Sequence, residues 1–70
     1  MSLTIETFEL GDIYIEYLWD KYAPHYETFV GRKGKDGIVR GIFQKRYATR
    51  EQAKRSFKRQ VAKAQNGDYQ

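Results

Sequence analysis

The sequence predicts an α+β fold in which an antiparallel meander of about four strands carries one C-terminal amphipathic helix on one face. Two observations lead to this prediction. Four stretches alternate apolar and polar residues with a period of two, and a final stretch repeats its apolar residues every three or four positions. Seventy residues without a repeat or linker provide for one core, so residues 1–70 are expected to form a single domain.

The first two predicted strands cover residues 3–10 and 13–19. In the first, apolar residues begin at odd positions with Leu3 and finish at even positions with Leu10, so the alternation slips once and predicts a β-bulge. In the second, every odd position is apolar or aromatic, as in a half-buried strand. Pro24 ends this stretch because proline cannot donate to a strand ladder.

A glycine-rich loop, residues 31–37, joins the third and fourth predicted strands, residues 26–30 and 38–47. The Asp36-Gly37 pair in that loop favours a tight hairpin. All three of its glycines can adopt positive φ.

The fourth strand has two candidate buried faces. Ile38 and Ile42 share one face, whereas Val39, Phe43 and Tyr47 share the other. Because both faces carry large apolar residues, the sequence leaves open which of them meets the helix.

The predicted helix has clear ends. Thr49 and Gln52 have the spacing of a capping box, Glu51 lies at the positive end of the helix dipole, and Gly67 after Asn66 suits the C-terminus. The stripe expected to face the sheet consists of Ala53, Phe57, Val61 and Ala64.

The charges divide the chain into two halves. Residues 1–31 carry one lysine against six carboxylates, a local charge of −5, whereas residues 32–63 carry twelve Lys or Arg against two carboxylates, a local charge of +10. This asymmetry favours a polyanionic partner such as nucleic acid. The alternative is cross-strand charge pairing and a solvated face that only keeps the protein in solution.

The basic half contains the residues predicted to bind nucleic acid, because lysine and arginine displace counterions from a phosphate backbone. Glycines beside such residues let backbone N–H groups approach an anion. The loop lacks the spacing of a nucleotide-binding P-loop. The candidate residues are Arg32, Lys33, Lys35, Arg40, Lys54, Arg55, Lys58, Arg59 and Lys63.

Eleven aromatic residues in a chain of this size are many. Most are expected to fill the core of the small sheet, and an exposed subset could stack on bases. The acidic residues between them, Glu16, Asp20 and Glu27, would repel a phosphate backbone.

Several classes of function are not expected. The chain has no cysteine and a single histidine, His25, which reads as a surface turn residue, so neither a metal site nor a cofactor is predicted. The scattered serines and carboxylates form no catalytic constellation. The helix has a narrow, alanine-rich apolar stripe that gives little membrane insertion energy, and a cytoplasmic protein is the default expectation.

Gly31, Arg32, Gly34 and Gly37 resemble the Gly-Arg-x-Gly-x-x-Gly run of the WGR domain, a module of some poly(ADP-ribose) polymerases and of short bacterial proteins. Val30 stands where the signature tryptophan belongs. The resemblance covers roughly residues 13–69 and implies DNA binding, with Arg32 as the best matched residue. A looser similarity, in topology and basic residues, is to the arm-binding domains of phage-type integrases.

Together these features favour a non-catalytic nucleic-acid-binding module, with DNA as the first candidate. The alternative is a protein-interaction or self-assembling module, either a homodimer or a complex with another protein, in which acidic and basic surfaces complement each other.

Overall fold

The computed structural model describes residues 2–21 and 25–69 and confirms the predicted α+β fold. Four antiparallel strands form one sheet in the order β1-β2-β3-β4, and a single helix packs on one of its faces. The elements are β1 Ser2–Leu10, β2 Ile13–Asp20, β3 His25–Lys33, β4 Val39–Tyr47 and α1 Arg50–Gln65. Pro24, predicted to break the chain between β2 and β3, lies outside the described residues.

The predicted bulge in β1 is confirmed. The register of β1 against β2 shifts between Thr4 and Glu6, so Ile5 is the additional residue. Ile5 and Phe8 both pack against the core, which explains why the apolar positions change from odd to even along this strand.

Strand β3 is longer than predicted, and this shortens the hairpin loop. Gly31 pairs with Tyr14, and Arg32 pairs with Ile13, so both belong to the sheet. The turn is confined to residues 34–38, where Gly37 alone has a positive φ, 80°. Of the three loop glycines that can adopt positive φ, only Gly37 does so, and Gly31 and Gly34 are not in that conformation.

A second bulge, missed in the sequence, resolves the phase of β4. Val30 pairs with Phe43 while Gly31 pairs with Gly41, so Ile42 is the additional residue. Phe43 faces the helix, whereas Val39 lies on the opposite face of the sheet. The expectation that Val39 and Phe43 share a face is wrong because the bulge reverses the alternation between them.

The helix ends as its sequence predicts. The Thr49 side chain accepts a hydrogen bond from the Gln52 backbone N–H, and the Gln52 side chain accepts one from the Thr49 N–H, which completes the capping box. At the other end Gly67 has φ of 80°, and its N–H donates to the carbonyl of Ala64 while that of Asp68 donates to Lys63. This pair of bonds is a Schellman motif.

The core lies between the helix and the two central strands. The ring centroids of Tyr17 and Phe57 are 5.0 Å apart. The hydroxyl of the fully buried Thr28 donates a hydrogen bond to the carbonyl of Ala53 at 2.9 Å. The buried apolar residues of this cluster are Ile13, Ile15, Tyr17, Val30, Ala53, Phe57 and Ala64.

The buried side of the helix is more polar than its predicted stripe. Ser56 and Gln60 are buried, whereas Val61 is only half-buried. Each buried polar side chain has a tyrosine partner: the hydroxyl of Tyr47 donates to Ser56 at 2.8 Å, and the hydroxyl of Tyr69 donates to Gln60. These bonds satisfy groups that would otherwise destabilise the core.

Candidate nucleic-acid interface

The outer side of the helix carries five exposed cations, which we call the basic arc: Lys54, Arg55, Lys58, Arg59 and Lys63. They are exposed because Ala53, Phe57 and Ala64 orient the other side of the helix toward the sheet. A shallow depression of about 200 Å³ is lined by three residues of the arc, Lys54, Arg55 and Lys58, together with Glu51. Within residues 2–21 and 25–69, no ion pair involves a residue of the arc.

A second group of cations surrounds a cavity at the β3–β4 turn, which we call the hairpin pocket. Its volume is about 450 Å³, and its lining residues are Asp12, Arg32, Lys33, Gly34, Lys35, Arg40 and Ile42. The backbone N–H of Lys33 donates to the carbonyl of Asp12 at 2.7 Å, which fixes the hairpin against the β1–β2 turn. The four cations predicted in and beside the loop are therefore brought together.

Two of these four cations are already paired with carboxylates. Arg32 lies 3.5 Å from Asp12, and Arg40 lies 3.0 Å from Asp36. The hydrogen bond from Arg40 is the main reason that the pKa of Asp36 is lowered below its ordinary value. The pairing reduces the net positive charge of the hairpin pocket relative to the basic arc.

Gly34 makes room for the Arg40–Asp36 pair. A Cβ atom on Gly34 would lie 2.7 Å from the Arg40 guanidinium and 2.8 Å from the Asp36 carboxylate. The same carboxylate accepts the backbone N–H of Ile38 at 3.1 Å, so Asp36 orders the turn as well as the arginine. The arginine is thus held over the turn by a local network.

The sheet separates the basic arc from the acidic residues of the central strands. Val30 and Ile15 face the helix, so their strand neighbours in alternation face the other side, which we call the open face. This face carries Glu9 from β1, Glu16 and Asp20 from β2, and Glu27 from β3. These four carboxylates and the basic arc therefore lie on opposite sides of the sheet, whereas the exposed Glu6 of β1 pairs with the core residue Tyr17.

Arg32 and Arg40 lie on the helix side of the sheet. Arg32 pairs with the core residue Ile13, and Arg40 pairs with Arg32. The sequence interpretation missed a further cation there, Lys45, which pairs with Thr28 and lies 5.7 Å from the ring centroid of Tyr47. In the sequence, the period-two spacing of Phe43, Lys45 and Tyr47 was the signal that could have placed Lys45 on this face.

The open face contains a carboxylate held by two hydroxyl groups. Glu16 accepts hydrogen bonds from Tyr14 at 2.8 Å and from Thr4 at 3.2 Å, both at the same oxygen. Burial, followed by the hydrogen bond to Glu16 and the charges of Glu16 and Glu9, raises the pKa of Tyr14 to about 12. Tyr14 therefore remains a neutral donor at physiological pH.

The described aromatic residues of β2 and β3 divide between the two faces of the sheet, and the half-buried Trp19 and Tyr26 pair with each other on the helix side. Tyr17 is buried, while the half-buried Tyr14 and Phe29 lie on the open face among the carboxylates. Tyr22, another residue of the aromatic group, lies outside the described residues. The observed contacts of Tyr17 with the helix are those of a core residue.

His25 is the first residue of β3 and not a turn residue, and its Nε2 atom is buried without a hydrogen-bond partner among the described residues. Among the described residues, no three His, Cys, Asp or Glu side chains come together as a metal site. Nor does that part of the chain contain a helix long and apolar enough to cross a membrane.

No known protein family, curated protein or solved structure matches this chain. The resemblance to the WGR domain therefore stays a prediction. Val30, at the position of that family's signature tryptophan, is completely buried under the helix and cannot contact a ligand. Arg32, at the position of the signature arginine, is exposed in the hairpin pocket.

Proposed function

We propose that this protein is a non-catalytic module that binds nucleic acid through the basic arc, assisted by the hairpin pocket. The proposal is supported by one observation above all: the five cations of the arc are exposed and form no ion pair with the described residues, and the carboxylates of β2 and β3 lie on the other side of the sheet. A polyanion that approaches the helix side meets cations without first meeting those carboxylates.

The arc suits phosphates better than base edges. Lysine and arginine on one helix surface release counterions from the backbone, which gives affinity without sequence information. We therefore expect weak sequence preference, and DNA is the first candidate because the WGR resemblance implies it.

Fluorescence anisotropy with a labelled 20-base-pair duplex tests the proposal. If the five cations of the arc each contact one phosphate, affinity falls about 500-fold between 50 and 200 mM salt. An affinity that is absent at low salt, or that does not respond to salt, contradicts the proposal.

Substitutions separate the arc from general positive charge. The double variant Arg55→Ala and Lys58→Ala removes two exposed cations from the arc and should reduce the salt slope by about 2. The control is Lys21→Ala, which removes an exposed cation outside both the arc and the hairpin pocket and should leave the slope unchanged. Equal losses of affinity per removed charge in the two variants would indicate unspecific attraction.

An RNA duplex of the same sequence tests the choice of DNA.

A further inference from the structure

The open face and the basic arc are oppositely charged surfaces of one molecule. Helix α1 contains six Lys or Arg and one Glu. The open face carries four carboxylates and two cations, Lys33 and Arg46. Of these cations, Arg46 lies 3.6 Å from Glu27. Nucleic-acid binding through the arc gives the open face no role.

Three of the carboxylates lie on a diagonal across neighbouring strands; Glu27 is mostly buried and paired with Arg46, so Glu9 and Glu16 are the two that a partner can reach. Glu9 pairs with Tyr14, two residues before Glu16, and Glu16 pairs with Phe29, two residues after Glu27. Diagonal neighbours on one face of a sheet are about 7–8 Å apart. The line Glu9–Glu16–Glu27 therefore makes an angle of about 35° with the strand direction. This angle follows from the spacing between strands and the rise of two residues along a strand.

The helix has a matching line of cations. Arg55, Arg59 and Lys63 follow one another at intervals of four residues, so their Cβ atoms are about 6 Å apart on the helix surface. The long side chains of arginine and lysine can span the small difference between this spacing and the spacing of the carboxylates on the open face. The 16-residue helix is about 24 Å long, and the nine-residue strands extend about 30 Å, so the helix fits on the face.

The centre of the open face is suited to arginine. Two hydroxyl groups hold one oxygen of Glu16, and the other oxygen has no hydrogen-bond partner among the described residues. Phe29 is directly opposite Glu16 on β3, and Tyr14 precedes it on the same face. A guanidinium bound to Glu16 can therefore lie against an aromatic ring.

We propose that the open face of one copy docks the basic arc of a second copy. A second copy is the occupant because the chain itself carries the complementary charge, at matching spacing, on a helix of suitable length. The two surfaces differ, so the contact is heterologous and extends head to tail, to a ring if the rotation between copies closes and to an open chain if it does not. It is electrostatic and forms at low salt and high protein concentration.

This contact does not depend on nucleic-acid binding, although both use the basic arc. A duplex bound to the arc covers the surface that the next copy needs. Adding duplex to the associated protein should therefore return it to single copies bound to DNA.

Two variants isolate the contact. The open-face variant, Glu9→Lys with Glu16→Gln, reverses or removes two carboxylates and keeps an acceptor for Tyr14 and Thr4. The arc variant, Arg55→Glu with Arg59→Glu, reverses two exposed cations of the line formed by Arg55, Arg59 and Lys63. Each variant alone lacks one of the two docking surfaces, whereas a mixture retains one intact pair: the arc of the first variant and the open face of the second.

Sedimentation equilibrium at about 20 mM salt measures the outcome. We expect the mass of the wild-type protein to increase with concentration, each variant to remain a monomer, and the equimolar mixture to form a 1:1 dimer that dissociates at high salt. Circular dichroism checks that both variants are folded. A monomeric wild type, or an associating wild type whose variants form no mixed dimer, overturns the proposal.

Nucleic-acid binding is measured on the same variants. The open-face variant should bind duplex DNA at least as well as the wild type, since its arc is intact, and the arc variant should lose binding. A wild type that associates but does not bind DNA contradicts only the proposed function. One that binds DNA but does not associate contradicts only the docking of a second copy.

Discussion

The covered face and the open face of this sheet are built from the same strands but differ in what they contribute. On the covered face, Ile15, Thr28 and Val30 have no exposed surface, and the helix supplies Phe57 to the same cluster. On the open face, carboxylates alternate with half-buried aromatic rings, and Phe29 lies over Gly31 and Gly41. The covered face is thus expected to determine stability, and the open face to determine which partners the protein meets.

The largest expected effect is on the covered face. Phe57→Ala removes a buried ring and its contact with Tyr17, which should cost about 3–5 kcal/mol. A chain of this size seldom has more than about 3–5 kcal/mol of stability, so the variant should be largely unfolded at 25 °C. Far-ultraviolet circular dichroism with urea titration measures this.

Phe29→Ala is the matched substitution on the open face. Because Phe29 is half-buried, its loss should cost about 1 kcal/mol and leave the protein folded. Similar losses from the two phenylalanine substitutions would show that the open face contributes to stability as much as the covered face, contrary to the comparison.

Gly31→Ala should have an intermediate effect, because Gly31 is buried and the open face is tightly packed at this position. The added Cβ would lie 2.3 Å from Val39 Cγ1 and 2.9 Å from the Phe29 ring, so both side chains must move. We expect a cost of about 1–3 kcal/mol, typical of overpacking.

A double-mutant cycle identifies the cause of that cost. Val39→Ala removes the nearer atom and should recover part of the loss when combined with Gly31→Ala. If the two substitutions are simply additive in urea titrations, then Val39 does not obstruct a side chain at position 31.

The fold was predictable where the signals are local in sequence. Thr49 and Gln52 define the start of the helix through bonds three residues apart, and Gly67 completes a motif within the last turn. The bulge in β1 was visible because it displaces Phe8 and Leu10 to even positions. Each of these features is determined by residues within a few positions of one another.

Features that depend on distant pairing were missed. The bulge at Ile42 follows from how β4 pairs with β3, and the apolar pattern of β4 fits either face. Ser56 and Gln60 are buried because Tyr47 and Tyr69 provide hydroxyl partners, which a search for apolar stripes cannot detect. Tertiary contacts, and not local pattern, determine these positions.

The candidate site was predictable in composition but not in arrangement. The sequence identifies every cation of the basic arc, because helical periodicity places them opposite Ala53 and Phe57. It does not indicate that Asp12 and Asp36 pair with the arginines of the hairpin pocket, since those contacts depend on how the two turns meet. Nor does it place Glu16 on the face away from the arc, which depends on which side of the sheet the helix covers.

The smallest effect we predict compares one hydroxyl group on each face. Thr28→Val removes the hydrogen bond to the Ala53 carbonyl in a fully buried position, with little change of shape. The expected cost is about 1 kcal/mol, because a buried carbonyl loses a donor. Thr4→Val removes a bond of 3.2 Å to Glu16 at an exposed position and should change stability by less than about 0.5 kcal/mol. Thermal unfolding should lower the melting temperature of the Thr28 variant by about 4–8 °C and leave that of the Thr4 variant nearly unchanged. Equal shifts would mean that the bond between sheet and helix contributes no more than a solvent-exposed one, and that apolar burial alone distinguishes the two faces.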